Sequence, residues 1–552
     1  MLSKFHKIFD SLTALERQIF EGAALVFIFS AVLNGVNIFY QKTILAPIQG
    51  GSFTEGLVGQ PIAINPLSAS GNDVDRDLME IIFSDLTELM EGYKLSPENK
   101  IWTVELKPNL LWSDGEPLTA DDVIFTIETI QNPETHSPLV GTWQGILVER
   151  MSDREIRFNL KSPYAFFLDN LRTLKIIPQH IWGAIPGANI RLSDYNLEPV
   201  SSGPYMFSRY EKRKDGFIKE YHLEANPNFW GEQALIQDLG FKFFSNYEEA
   251  IDAFNKREID GLGGLTADDI PKIKVGHQIK EINIPRYYAV FLNPATAPAL
   301  KSEEVRSALN LSTDRAKIVE LALTGKAVPI FGPIYPGLEG YEGELGSMSR
   351  FSLDDAREIL SDTKWEPDEQ GIRTKKIGQE ELKLEFQIVV PEIDFLVKTV
   401  EILKEDWQKI GVGLEAIILS PAEIAGEIIK TRNYQMIVFG NILKNNPDIF
   451  SFWHSSERFH PGLNLALYEN RTVDGLLESI RRNFDTDARI RDIKKLQNII
   501  NEEVPAIFLF SPNYLYAGPK DLGGFEAKFM TTPANRFDEI FKWFLKTARV
   551  FR

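Results

Sequence analysis

Gly22 to Tyr40 (GAALVFIFSAVLNGVNIFY) runs for 19 positions without a charge, and no other feature constrains the chain as much. At helical rise it reaches roughly 28 Å, close to the hydrocarbon thickness of a bilayer. Lys4, Lys7 and Arg17 precede it, and Lys42 is the one basic residue in 41–60. The positive-inside bias then puts residues 1–21 in the cytoplasm and the body outside. A cleaved signal peptide is the competing reading. A cut after Ala46 would have Ile44 at a position that wants a small residue, with Pro47 next, so a retained anchor over 22–40 is expected. Residues 43–60 are rich in Gly and small residues, as a tether would be, and 41–54 is expected to form the linker.

The rest of the 552 residues exceeds what one core supports, which predicts several lobes. Acidic residues outnumber basic ones 78 to 60, a net charge of −18 that repels phosphate backbones, so nucleic acid is not an expected partner. Cysteine is absent, which excludes disulfides, thiol catalysis, Cys-ligated zinc, iron–sulfur clusters and a lipid attached through cysteine. Ile101–Leu106 and Glu155–Leu160 alternate in polarity like half-buried strands. Phe395–Ile410 carries apolar residues at helical spacing and ends at Gly411, and Val412–Leu419 then reads as a strand. Val473–Ile500 reads as one or two amphipathic helices. The fold class is α/β.

Groups that suggest catalysis have simpler readings. Asp121-Asp122, Asp268-Asp269 and Asp354-Asp355 each follow Thr119, Thr266 or Ser352 by two residues, the pattern of a helix N-cap with acids at the positive end of the helix dipole. His454 and His460 are spaced so that they do not share a helical face, and no His-Glu-x-x-His occurs. Phosphate-loop, dinucleotide and Gly-x-Ser-x-Gly patterns are also missing. No catalytic residue, metal ligand or cofactor is assigned.

Trp102–Phe125 (WTVELKPNLLWSDGEPLTADDVIF) carries the most specific signal. Its Leu106, Pro108, Trp112, Asp114-Gly115, Thr119-Ala120-Asp121-Asp122-Val123 and Phe125 resemble the signature of family 5 solute-binding proteins of ABC importers, the dipeptide, oligopeptide and nickel type. Other blocks fit the family in order: Gly59-Gln60-Pro61, Asn65-Pro66, Ile177–His180, Pro199–Tyr205, Asn226–Trp230, Val305–Leu309 with Thr313–Arg315, and Leu323–Gly325.

The resemblance implies a periplasmic-binding-protein type II-like clamp of two α/β lobes plus an inserted lobe, preceded by one transmembrane helix. Lobe I would comprise about 55–70, 198–285 and 505–552, the inserted lobe 71–197, and lobe II 286–504. Hinge crossings would lie near Ile284–Phe291 and Val504–Leu509. The implied function is capture of an extracytoplasmic solute, foremost a peptide, for a membrane permease driven by a separate ATPase, by a monomeric chain without cofactor. A membrane-tethered sensor or scaffold with a non-peptide ligand is the second reading; a peptidase on the same clamp lacks its motifs. Many peptide-binding members place an Asp shortly before a Pro-Asp pair to meet the peptide amine. Aligning on Pro447-Asp448 puts Leu443 there. Candidate ligand contacts are Leu67, Ser68, Ala69, Ser70, Trp112, Tyr205, Asn445, Asn446, Asp448 and Trp453. The basic, amphipathic segment 537–552 is expected to pack Ile540, Trp543 and Phe544 onto the body.

Overall fold

A computed structural model describes residues 11–68, 71–343, 350–527 and 529–551. Ala69, Ser70 and residues 1–10 of the expected cytoplasmic segment lie outside these residues. The first helix, Ala14–Lys42, begins at a capping box between Thr13 and Glu16 and has no buried residue. Among the described residues it is the one helix long and apolar enough to cross a membrane.

Two large sheets organise the body. The first has seven strands, in the order Gln278–Ile282, Tyr514–Gly518, Gly261–Leu265, Ser52–Val58, Asp238–Phe244, Ile218–Ala225 and Tyr205–Lys212. The second has six: Ala327–Pro329, Ala506–Pro512, Arg286–Leu292, Met436–Ile442, Glu385–Pro391 and Gly413–Leu419. They form the centres of lobes I and II. A four-stranded sheet of Met90–Leu95, Ile101–Leu106, Glu155–Asn159 and Leu147–Arg150 belongs to the insert.

Local sequence explains these elements. Trp102, Val104 and Leu106 point inward from Ile101–Leu106, as alternation requires. Helix Asp394–Gln408 buries Leu396, Val400, Leu403 and Trp407 on one stripe. Thr119 and Ser352 cap their helices, and Thr266 with Asp269 forms a capping box, so the acidic pairs are helix starts. Along Arg286–Leu292, Val290 and Leu292 enter a core that includes Leu403 and Trp407, while Tyr287, Ala289 and Phe291 enter one with Trp453 and Phe508. The strand at the centre of lobe II is therefore apolar on both faces. Lobe I and the insert share a single core, in which Phe53 and Tyr221 join Val104 and Trp112.

Two expectations need correction. The second hinge crossing falls one strand later than Val504–Leu509: Ala506–Pro512 lies in the lobe II sheet and Tyr514–Gly518 in the lobe I sheet, so the chain crosses at Asn513. Both strands are buried almost throughout, so neither shows the alternation that would mark a boundary between them. The stretch 41–54 is no free linker either. Thr43–Pro47 pairs antiparallel with Thr547–Phe551, and Ser52–Val58 is already a lobe I strand. Its partner lies at the far end of the sequence, beyond any local pattern. Ile540 and Trp543 are buried as expected, and Phe544 is half-buried.

Candidate ligand-binding cleft

The two crossings lie side by side. Ile282, the last residue of its strand, pairs with Tyr514, and the Ser511 hydroxyl donates to the Ile284 carbonyl at 3.1 Å. Paired short crossings of this kind form a hinge, since a few backbone torsions absorb the movement of one sheet against the other.

The most recognisable sequence blocks do not line the cleft; they knit the insert to lobe I. Gly115 takes φ +93° in the turn after Trp112. The Ser113 amide donates to the Ser201 carbonyl (2.8 Å), and the Ser201 amide donates to the Ser113 hydroxyl (2.9 Å). Asn228 donates to the Trp112 carbonyl at 3.1 Å, and Asn226 to that of Gly203 at 2.9 Å. Gly203 also passes so near Ile81 and Ile82 that a Cβ there would meet the Ile81 carbonyl oxygen at 2.5 Å. His180 Nε2 lies 2.8 Å from Asp114 Oδ2. Burial raises the Asp122 carboxyl, opposed by amides of Gln179 and Thr119 that donate to it. Several segments far apart in sequence thus converge on one seam.

That seam decides the aromatic candidates. Trp112 and Tyr205 are wholly buried in the shared core, the Tyr205 hydroxyl donating to the Ile236 carbonyl at 2.9 Å. Trp453 is equally buried in lobe II, with its indole N–H on the Tyr287 oxygen at 3.3 Å. In this conformation all three are core residues and offer no wall to a ligand. Large aromatics serve either purpose, and the sequence carries no sign of which.

Of the remaining candidates, Leu67, Ser68 and Asp448 line two cavities. Leu67 and Ser68 border one of about 340 Å³ with Asn65, Asp75 and Arg191. Asn65 turns the chain there, accepting the Leu67 amide on its side chain and the Ser68 hydroxyl on its carbonyl. The other cavity, about 450 Å³, opens between the insert and lobe II, where Gly141, Tyr164 and Asn170 face Lys444, Asp448 and Arg481. Asn446 donates to Asp169 at 2.8 Å across this boundary, and Asn445 is exposed. Asp448 accepts the Tyr164 hydroxyl at 2.8 Å and faces Arg481 at 3.2 Å, besides accepting the Phe450 amide. Burial and the Asp448 charge together push the Tyr164 hydroxyl well above its ordinary pKa. The Arg481 carbonyl also accepts the Ala165 amide at 2.7 Å, and Phe166 sits within a lobe II core. Sequence reasoning missed Tyr164 and Arg481, which have no local motif. Leu443 is buried, its amide on the Pro285 carbonyl at 2.7 Å beside the first crossing.

Known proteins agree with this architecture. Over 523 residues the chain is 25% identical to the oligopeptide-binding protein AppA of Bacillus subtilis, covering 92% of this chain and 93% of that protein. It is 23% identical over 464 residues to the probable D,D-dipeptide-binding periplasmic protein DdpA of Escherichia coli, covering 79% and 81%. The crystal structure of the ABC transporter substrate-binding protein CtaP from Listeria monocytogenes superposes with a TM-score of 0.78 at 24% identity, covering 90% of this chain and 99% of that one. The family model for bacterial extracellular solute-binding proteins, family 5, matches residues 87–459. With two hinged sheets, an insert sealed to lobe I and that match, the chain belongs to the family 5 extracellular solute-binding proteins of ABC transporters.

Proposed function

We propose that this protein is the membrane-anchored peptide receptor of an ABC importer. Lobes I and II close about the crossings at 283–285 and 513, and the closed form hands its ligand to a permease whose ATPase is a separate chain. Closure is a population shift, driven by a ligand that touches both lobes. The observation that carries the reading is the side-by-side pair of crossings between two separately cored sheets, in a chain whose relatives include an oligopeptide-binding protein over nearly their whole length. Helix Ala14–Lys42 is the single-pass anchor, and the chain works as a monomer.

The ligand is a peptide gripped through its backbone rather than by its terminal ammonium. Leu443 offers no carboxylate at the position where many members carry one. Asp448, the next in sequence, is already engaged by Tyr164 and Arg481. The same observation favours, as a second reading, a non-peptide ligand on a tethered scaffold. A thermal-shift series with matched free-amine and N-acetylated peptides tests this. Equal stabilisation by the two forms is expected; stabilisation by the free-amine form alone contradicts it. Stabilisation by neither, with a response to another solute class, favours the second reading.

A further inference from the structure

The strands Thr43–Pro47 and Thr547–Phe551 form a ribbon that, among the described residues, belongs to no larger sheet. It starts at the residue after the long apolar helix, in the register Thr43 to Phe551 through Pro47 to Thr547. Cross-strand partners share a face, so Ile44 and Val550 lie on one side and Leu45 and Phe551 on the other. All four are exposed, Leu45 by 63% and Phe551 by 71%. A two-stranded ribbon is marginal in water, and one with bare apolar residues on both faces is poorly matched to it.

Its surroundings fit another medium. The Phe39 ring stands edge-on to Phe551 at 5.9 Å, and the Arg549 guanidinium lies 4.0 Å over the Tyr40 ring while donating to the Thr43 hydroxyl at 3.2 Å. Aromatic rings backed by cations are what the interfacial layer of a bilayer favours. In a chain of net charge −18, residues 40–54 and 540–551 hold no Asp or Glu, yet carry Lys42, Lys546 and Arg549 beside the ribbon. The ribbon is also fixed to the body. The Ile48 amide donates to the Lys546 carbonyl at 3.1 Å, Phe544 and Gly523 exchange backbone hydrogen bonds, and Trp543 is buried in the lobe I core.

We propose that this ribbon is a lipid-interface element, seating lobe I on an anionic membrane surface in a fixed orientation. The proposal rests on the reading that helix Ala14–Lys42 is retained as the anchor. Charge and continuity with that helix commit the ribbon to lipid rather than to another protein. The consequence is a clamp held against the bilayer by both ends of its chain.

The absence of cysteine makes a single-label test direct. Leu45→Cys in the full chain would carry a fluorophore in nanodiscs of phosphatidylcholine with a quarter phosphatidylglycerol, with Tyr195→Cys on the insert as the control. Headgroup-proximal doxyl lipid is expected to quench the Leu45 label at least about threefold more than the control. Lys42→Glu with Lys546→Glu is expected to lessen that difference while the melting temperature holds. Equal quenching at the two sites, or dipolar coupling between labels on two chains, overturns the proposal. Intact mass of the protein from membranes reports separately on the anchor. Loss of residues 1–40 would refute retention alone, and cosedimentation of that shortened protein with vesicles of the same lipids would then decide the ribbon, pelleting supporting it and failure to pellet overturning it.

Discussion

Tyr164 of the insert donates its hydroxyl to Asp448 of lobe II across 2.8 Å, joining residues 284 apart in sequence. Asp448 is nearly buried, and Arg481 is its charged partner. Removing the hydroxyl leaves the carboxylate less satisfied, and hydrogen bonds to charged groups contribute about 1.5–3 kcal/mol. Tyr164→Phe is therefore expected to loosen the contact between insert and lobe II. Amide exchange should quicken over 164–170 and 444–450 and stay unchanged in Ser52–Val58. Uniform exchange in both regions would contradict a latch.

Gly203 sits against the Ile81–Ile82 backbone, where a Cβ would approach three atoms within 2.5–2.9 Å. Backbone cannot swing aside as a side-chain tip can, so Gly203→Ala is expected to cost about 1–3 kcal/mol, read as a lower denaturation midpoint. Gly475 provides the contrast. It is exposed within helix Arg471–Arg482, with open space where a Cβ would go. Gly475→Ala should stabilise by up to about 1 kcal/mol.

Glu55 is buried within lobe I, with Arg536 at 3.1 Å and the Tyr516 hydroxyl donating to it at 2.8 Å; Arg536 also grips Asp77. Burial pushes the Glu55 carboxyl up to about 7, against the pull of Arg536, and the Asp77 charge adds to the rise. The folded state thus holds this proton more tightly than the unfolded one. Stability is full below the unfolded value and falls as pH rises towards about 7. From Glu55 the loss is on the order of 3 kcal/mol. Glu55→Gln should match the parent near pH 4.5 and exceed it at pH 8, as measured by denaturant titration at each pH. A constant difference would contradict this assignment.

Much of the scaffold is legible in the sequence because it is local. Thr119, Thr266 and Ser352 announce helix starts, and Ile101–Leu106 announces a half-buried strand. The spacing of Leu396, Val400, Leu403 and Trp407 gives a helix its buried side. The candidate cleft is much less legible. Trp112, Tyr205 and Trp453 carry no local sign that separates ligand wall from core, and tertiary packing assigns them to core. Tyr164 meets Asp448, and Thr43–Pro47 meets Thr547–Phe551, through partners hundreds of residues away with no shared periodicity. The shift of the second crossing to Asn513 has the same origin, since two strands in a row that are buried almost throughout carry no alternation to separate them.

The central claim is that the clamp captures peptides outside the cytoplasm. Native mass spectrometry of the full chain, extracted from membranes in mild detergent and sprayed before and after gentle denaturation, tests it most directly. A releasable set of short peptides is expected. Added back at a hundredfold excess over their dissociation constant, they should stabilise the emptied protein by about 2.7 kcal/mol. Bare protein that no peptide stabilises, but that another class of solute does, would contradict it.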